Sequence, residues 1–195
     1  MDELSSKVEA TVPMFTEEQR LIYQRVHSAL MEGEQLLAFI DARGGCGKTF
    51  LTDTILGMVR TLEPGSCVAL ATATTGIAAN LLHLGRTFHS RLKAPLTLSE
   101  ESTLQISGQS SLAKLVRMAK LILIDEATML DSLLLEALDR SLRDLMGEQK
   151  KPFGGKTLLL AGDFRQCLPV VKRARLSATG CGKMMVSEFR CGVAY

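Results

Sequence analysis

The feature that most constrains the fold is a glycine-rich segment, GGCGKT at residues 44–49, which follows the apolar run LLAFI and precedes a segment with helical character. A strand, a glycine-rich turn and a helix in this order are typical of a phosphate-binding loop. Backbone N–H groups of the loop and the positive end of the helix surround the phosphates. The Lys48 ammonium is predicted to reach the β and γ oxygens, and the Thr49 hydroxyl to bind Mg²⁺. The predicted nucleotide-binding residues of the loop are Gly44, Gly45, Cys46, Gly47, Lys48 and Thr49.

One position departs from the usual pattern of such loops, G-x-x-x-x-G-K-[ST], because this chain has Ala42 where the pattern has its first glycine. Glycine permits a positive φ and a close approach of the backbone, and alanine resists both. Since Gly44, Gly45 and Gly47 are kept, we expect a loop that works but binds more weakly. The alternative, a glycine-rich turn that only happens to precede a lysine, is disfavoured by the flanking strand and helix.

Composition is consistent with one soluble domain. The chain has 195 residues, of which 46% are hydrophobic and 23% charged, enough to bury a core. No apolar run is long enough to span a membrane, and the polar N-terminal segment MDELSSKVEA lacks the apolar region of a signal peptide, so an intracellular protein is expected. The five cysteines form no C-x-x-C pair, which favours free thiols in a reducing compartment over disulfides or zinc.

Apolar strands alternate with helices along the chain. Residues 1–14 are expected to form a loose leader, and Thr16 and Gln19 have the spacing of a capping box that begins a helix ended by Gly33. Strands are predicted at 36–41, 67–72, 121–125 and 157–163, helices at about 49–62, 74–82, 111–119 and 131–146, and a loop at 93–110. This order predicts an α/β fold with a mostly parallel sheet covered by helices on both faces. Ligands of such folds bind at the carboxyl ends of the strands.

Two further polar segments follow predicted strands. Asp125 and Glu126 end the apolar run LILI, where Asp125 is expected to hold Mg²⁺ opposite Thr49 and Glu126 to polarise the water that attacks the γ-phosphate. Alone, such a pair is usually a solvated strand end, and the phosphate loop upstream makes the catalytic interpretation the stronger one. A water-activating carboxylate favours hydrolysis over transfer to a second substrate. In the segment GDFRQCLPV, Gln166 is predicted to contact the γ-phosphate, and Asp163 and Arg165 to pair with each other or with neighbouring loops.

Four segments taken together resemble the petite-integration-frequency family of superfamily-one DNA helicases, which includes the helicase half of Helitron transposons. The segments are GGCGKTFL, ATATTGIAANLLHLGRTFHS at 71–90, LILIDEATML and LLLAGDFRQCLPVV. The resemblance implies a RecA-like P-loop core over residues 15–171 that binds ATP and Mg²⁺. It also implies an ATP-dependent helicase that moves 5′ to 3′ on single-stranded DNA, is located in the nucleus, and has roles in DNA repair, recombination and telomere maintenance.

The resemblance also implies roles for single residues. Gln19 matches the family's adenine-reading glutamine, although a capping role for the same side chain is an equal alternative. Lys48, Asp125, Glu126 and Gln166 match the catalytic set. The residues that match the surface binding single-stranded DNA are Thr74, Thr75, Gly76, His89, Ser90 and Pro169. Outside this block, His89 would more often be an ordinary structural histidine.

The last segment departs from the family. Residues 172–195 carry five basic residues and one acidic residue, and we expect a divergent, poorly ordered basic tail that is more often solvated than bound to phosphate. The length accommodates one RecA-like core, whereas helicases of this superfamily clamp ATP between two. Arginines from the second core are worth about 10³–10⁵ in rate by comparison with arginine fingers. We therefore expect weak ATP hydrolysis and no unwinding by this chain alone. The alternatives are a fragment that binds nucleotide and single-stranded DNA without turnover and, less favoured by the 71–90 segment, a P-loop ATPase unrelated to nucleic acid.

Overall fold

The computed structural model of the chain describes residues 2–62 and 68–166. Its centre is one sheet of five strands in the order β1-β5-β4-β2-β3, in which every neighbouring pair is parallel. The strands are β1 (Leu37–Asp41), β2 (Val68–Ala73), β3 (Arg86–Thr87), β4 (Ala119–Asp125) and β5 (Thr157–Gly162). The predicted α/β fold with a parallel sheet is confirmed.

Helices cover both faces of the sheet, as predicted. They are α1 (Asp2–Thr11), α2 (Glu17–Glu32), α3 (Lys48–Leu62), α4 (Gly76–Leu81), α5 (Phe88–Leu92), α6 (Ser111–Met118) and α7 (Ser132–Met146). Successive side chains of a strand point to opposite faces. In β4, Leu121 and Leu123 therefore pack with α1–α4, while Ile122 and Ile124 pack with α5–α7. Short 3-10 turns lie at Val12–Met14, Ala127–Met129, Pro152–Gly155 and Phe164–Gln166. Among the described helices, none is long and apolar enough to cross a lipid bilayer.

Helix α2 begins where the capping box was predicted. The Thr16 hydroxyl accepts a hydrogen bond from the backbone N–H of Gln19 at 3.2 Å, and the Thr16 N–H donates to Oε1 of Gln19 at 3.1 Å. Gly33 ends the helix with a φ of +69°, the left-handed conformation that glycine adopts without cost. The two caps fix the first turn of α2, and with it the direction of the Gln19 side chain.

The N-terminal segment differs from the loose leader expected for residues 1–14. Helix α1 packs on α3, where the buried Val8 lies over Gly57. A Cβ atom at Gly57 would lie 2.8 Å from Cγ2 of Val8, so the missing side chain makes room for this contact. Lys7 adds an ion pair with Asp53 at 3.3 Å. The leader expectation is corrected because a partner surface on α3 stabilises a helix whose own sequence pattern is weak.

Candidate functional site

A cavity of about 970 Å³ opens at the carboxyl ends of the central strands, a size typical of ligand pockets. The phosphate loop, the two carboxylates that follow β4 and the segment that follows β5 all contribute to its walls. Its lining residues are Gly44, Gly45, Gly47, Lys48, Thr49, Ala78, Leu81, Asp125, Glu126, Thr128, Met129, Gly162, Asp163 and Gln166. The structure thus brings together the residues predicted for catalysis, with all of the predicted nucleotide-binding residues except Gln19 and Cys46.

The phosphate loop has the backbone conformation that its glycines permit. Gly45 and Gly47 have φ values of +82° and +76°, in the left-handed region that side chains disfavour. Lys48 begins α3, and its ammonium donates hydrogen bonds to the carbonyl oxygens of Ala42 and Arg43. These bonds hold the ammonium at the centre of the loop, where it is part of the cavity wall.

Ala42 continues the β1–β5 ladder beyond the end of β1. Its backbone N–H donates to the carbonyl of Gly162 at 3.2 Å. Among the described non-glycine residues, a positive φ occurs only at Leu84, Lys93, Glu126 and Phe153. Position 42 therefore does not require the positive φ that alanine resists, and this part of the reason for expecting a weakened loop does not hold in this fold.

Gln19 serves the cap and also reaches the phosphate loop. While Oε1 accepts from Thr16, the Nε2 group donates to the carbonyl oxygen of Cys46 at 3.2 Å. A Cβ atom at Gly47 would lie 2.8 Å from Nε2 of Gln19, so Gly47 allows the amide to approach. Gln19 therefore caps α2, as the alternative predicted, and the same side chain joins α2 to the phosphate loop.

The segment after β5 contacts the loop at its first glycine. Oδ2 of Asp163 accepts from the Gly44 N–H at 3.0 Å, and Oδ1 accepts from the Arg165 N–H at 2.9 Å. Burial raises the Asp163 pKa, but these two hydrogen bonds and the charges of Lys48 and Arg165 lower it by more, so the carboxyl has a pKa below its ordinary value. Gln166 also lies against Gly44, since a Cβ atom built on Gly44 would be 2.9 Å from Nε2 of Gln166.

From the sequence, Asp163 and Arg165 are expected to pair with each other or with neighbouring loops, and Asp163 is assigned no role at the nucleotide site. The structure places both pairings: the Arg165 guanidinium lies 3.7 Å from Oδ1 of Asp163 and 3.8 Å from Oδ1 of Asp41. The signal available in the sequence was an aspartate directly after a fully apolar strand, the same pattern that marked Asp125. A carboxylate in that position is at the strand end where ligands bind.

Asp125 and Glu126 end β4 in different environments. Asp125 is buried, with 5% of its surface exposed, and burial raises its pKa above the ordinary value; Glu126 adds to this effect through its charge, and the Glu126 N–H and Lys48 oppose it. The Glu126 N–H donates to Oδ1 of Asp125 at 2.9 Å. Glu126 itself has a φ of +52°, a conformation rare for a side chain of this kind and concentrated at functional sites.

Thr74 and Thr75 connect the predicted DNA-binding segment to these carboxylates. The Thr74 hydroxyl donates to the carbonyl of Glu126 at 2.6 Å, and the Thr75 hydroxyl donates to Oε2 of Glu126 at 2.7 Å. Thr75 also caps α4, where its oxygen accepts from the N–H of Ala78 at 3.3 Å. Gly76 follows as the first residue of α4 and is exposed.

His89 and Ser90 lie outside the cavity, on the short helix α5. Strand β3 pairs in register with β2, so that Thr87 stands beside Ala73. The segments that follow these two residues therefore leave the sheet at neighbouring positions. Ser90 is exposed and His89 half-buried, while Phe88 is buried in the core. Pro169 and the tail at 172–195 lie outside the described residues.

Comparisons with known proteins agree with this arrangement. A sequence model described as PIF1-like helicase matches residues 14–189. Human ATP-dependent DNA helicase PIF1 is 34% identical over 178 residues, which cover 84% of this chain and 24% of the human protein. Yeast ATP-dependent DNA helicase RRM3 (Saccharomyces cerevisiae) is 30% identical over 175 residues, which cover 89% of this chain and 23% of the yeast protein. The chain thus spans about a quarter of the length of these relatives.

Solved structures show the same core. The Bacteroides Pif1 structure bound to single-stranded DNA superposes with a TM-score of 0.64 at 28% identity, over 80% of this chain and 34% of that one. The Bacteroides complex with ADP-AlF3 and single-stranded DNA has the same TM-score and identity, over 81% of this chain and 34% of that one. Together with the match over residues 14–189, these similarities establish that the chain belongs to the PIF1-like helicase family.

Proposed function

We propose that this chain is the first motor core of an ATP-dependent DNA helicase that couples hydrolysis to 5′-to-3′ movement on single-stranded DNA. The observation that carries the proposal is the convergence of Lys48, Thr49, Asp125, Glu126 and Gln166 on one cavity in a member of the PIF1-like family. Residues 15–171 are the proposed extent of the core.

In this proposal each side chain has a role that its chemistry allows. Lys48 neutralises the β and γ oxygens of ATP, and Glu126 accepts a proton from the attacking water. Gln166 contacts the γ-phosphate and Gln19 the adenine. The catalytic residues are Lys48, Asp125, Glu126 and Gln166, and the nucleotide is bound by Gln19, Gly44, Gly45, Cys46, Gly47, Lys48 and Thr49.

Thr49 and Asp125 would hold Mg²⁺. A hydroxyl and a carboxylate from the cavity wall suit this ion, which usually takes one or two protein carboxylates and completes its shell with phosphate oxygens and water. Within residues 2–62 and 68–166, no group of three or more His, Cys, Asp or Glu residues is placed to hold a metal ion. Bound Mg²⁺ would neutralise charge that develops on the phosphates.

Single-stranded DNA is the proposed polymer ligand, since solved relatives were crystallised with it. Its contacts are assigned to Thr74, Thr75, Gly76, His89, Ser90 and Pro169. The pairing of β2 with β3 supports this assignment for the described residues, because it brings the two segments that follow these strands to one edge of the sheet. The nucleus is the proposed compartment by family resemblance.

Full activity is proposed to need a second RecA-like core, because arginines from such a core stabilise the transferring phosphoryl group. The alternative is a nucleotide- and DNA-binding unit without turnover. The chain aligns with 24% of the length of human PIF1.

Mg-ATP hydrolysis by the purified chain, with and without single-stranded DNA, tests the proposal. Lys48→Ala is the inactivating variant, and Lys114→Ala, an exposed lysine on α6, is the matched control. We expect slow hydrolysis that Lys48→Ala abolishes and Lys114→Ala preserves, with no strand separation. A folded chain that fails to bind nucleotide would refute the ATP site. Processive unwinding by the monomeric chain would refute the need for a second core, and nucleotide binding without turnover would support the alternative.

A further inference from the structure

The contact between Thr75 and Glu126 joins two parts of the site that otherwise have separate tasks. Thr75 belongs to the segment proposed to bind DNA, and Glu126 is the proposed water-activating carboxylate. The two residues are 51 positions apart in sequence, and the Thr75 hydroxyl donates to Oε2 of Glu126 at 2.7 Å. A hydrogen bond from a hydroxyl to an ionised carboxylate is about twice as strong as one between neutral groups.

The main chain of Glu126 is held independently of this contact. Its N–H donates to Oδ1 of Asp125 at 2.9 Å, and its carbonyl accepts from the Thr74 hydroxyl at 2.6 Å. The same carbonyl accepts from the N–H of Met129 at 3.0 Å. The carboxylate is therefore the part of Glu126 that can change partners while the backbone stays in place.

The Thr75 hydroxyl has one hydrogen to donate. Its oxygen accepts from the N–H of Ala78 at 3.3 Å, and its hydrogen goes to Glu126. A second acceptor, such as a phosphate oxygen of a nucleic acid, can receive this hydrogen only if Glu126 gives it up. The two acceptors are both anionic and compete for a single donor.

We propose that Thr75 is a positioning residue whose hydroxyl is shared between the Glu126 carboxylate and the backbone phosphate of single-stranded DNA. Without DNA, the hydrogen bond restrains the carboxylate on Thr75. When a DNA phosphate takes the hydrogen, Glu126 is released to accept a proton from water. This inference rests on the proposed function, in which residues 74–76 contact DNA, and adds a link by which DNA binding permits hydrolysis.

The test is a double-mutant cycle read by DNA binding. The affinity of a fluorescent oligothymidine for the full chain is measured by anisotropy at fixed salt for the wild type, Glu126→Gln, Thr75→Val and the double variant. Gln removes the charge of the competing acceptor and keeps its shape. We expect Glu126→Gln to tighten DNA binding about three- to tenfold when Thr75 is present, from the difference between charged and neutral hydrogen bonds. In the Thr75→Val background the gain is expected to be clearly smaller.

The Thr75→Val background distinguishes competition for the hydroxyl from charge repulsion between Glu126 and the DNA phosphates. Repulsion does not need the hydroxyl, so it would act equally in both backgrounds. An equal gain from Glu126→Gln in both backgrounds would overturn the inference. Thr75→Ser keeps the hydroxyl and is expected to restore the full gain, which a merely structural role of the threonine side chain would not require. If the wild-type chain binds nucleotide but no oligothymidine, the proposed DNA contact itself fails. If the chain binds oligothymidine but Glu126→Gln gives the same gain with and without the Thr75 hydroxyl, only the shared hydroxyl is refuted.

Discussion

Restoring the usual glycine at position 42 is expected to leave nucleotide affinity unchanged. Ala42 donates its N–H to Gly162 at 3.2 Å and extends the pairing of β1 with β5. It is absent from the described residues with a positive φ, so a glycine there gains no conformation that alanine lacks. The Ala42→Gly variant should therefore bind ADP as the wild type does and lose stability.

The size of that loss follows from backbone entropy. Glycine in an extended segment costs about 0.5–1 kcal/mol relative to alanine. For a domain of this size the cost corresponds to a fall in Tm of about 1–4 °C. Gly47→Ala is the comparison variant, because it adds a side chain where the loop does need a positive φ. The φ of +76° at position 47 places that side chain in the left-handed region, at a cost of about 1–2 kcal/mol. Its Cβ would also meet Nε2 of Gln19 at 2.8 Å and displace the bond to Cys46.

The assay is a titration with fluorescent ADP, paired with urea unfolding of each variant. If the free Gly47→Ala loop relaxes to another conformation and nucleotide binding restores the present one, binding must supply this strain energy, and affinity falls by roughly 5- to 30-fold. Ala42→Gly should leave the titration curve in place. Markedly tighter binding by Ala42→Gly would show that position 42 touches the phosphates in a conformation alanine resists, and the argument from the β1–β5 ladder would be wrong.

Three further outcomes concern the stability of the fold. Thr16→Ala should lower the free energy of unfolding by about 1 kcal/mol through loss of the α2 cap, with Thr16→Ser unchanged in the same urea measurement. Gly57→Ala should release α1 from α3, seen as faster hydrogen exchange in α1, and the added change Val8→Ala should restore protection by making room. Burial, with a smaller effect of Lys120, lowers the Lys156 pKa from 10.5 to about 8, so the unfolded chain keeps this proton to higher pH and stability should rise with pH between those values. Urea midpoints across that range should show a smaller rise in Lys156→Met.

The sequence predicts the parts of the fold whose signals are local. The apolar runs of β1, β4 and β5 lie within one or two residues of the predicted strands, and the Thr16–Gln19 spacing gives the start of α2. Because ligands of parallel sheets bind at the carboxyl ends of the strands, the sequence also predicts that Lys48 and Asp125 lie at the same edge of the sheet. Each of these inferences depends on a few consecutive residues.

The parts that could not be predicted depend on contacts between distant segments. Strand β3 has two residues and α5 has five, too few for a periodic signal, and both exist beside β2 and the core. Helix α1 forms against Gly57, which a pattern within residues 1–14 cannot contain. Likewise the N–H of Ala42 finds its acceptor at Gly162, 120 positions along the chain.

The phosphate loop is held from two sides by side chains outside it, and this arrangement limits how the loop can respond to a ligand. Asp163 occupies the N–H of Gly44, and the N–H of Cys46 donates to the carbonyl of Arg43 at 3.3 Å, so two backbone donors of the loop are already engaged. Gln19 holds the Cys46 carbonyl from α2. Because both contacts are made to the loop's main chain, a shift of that main chain must alter bonds to α2 and to the segment after β5 at once. The glycines permit the conformation of the loop, and the contacts with Gln19 and Asp163 transmit a change in that conformation to α2 and to the segment after β5.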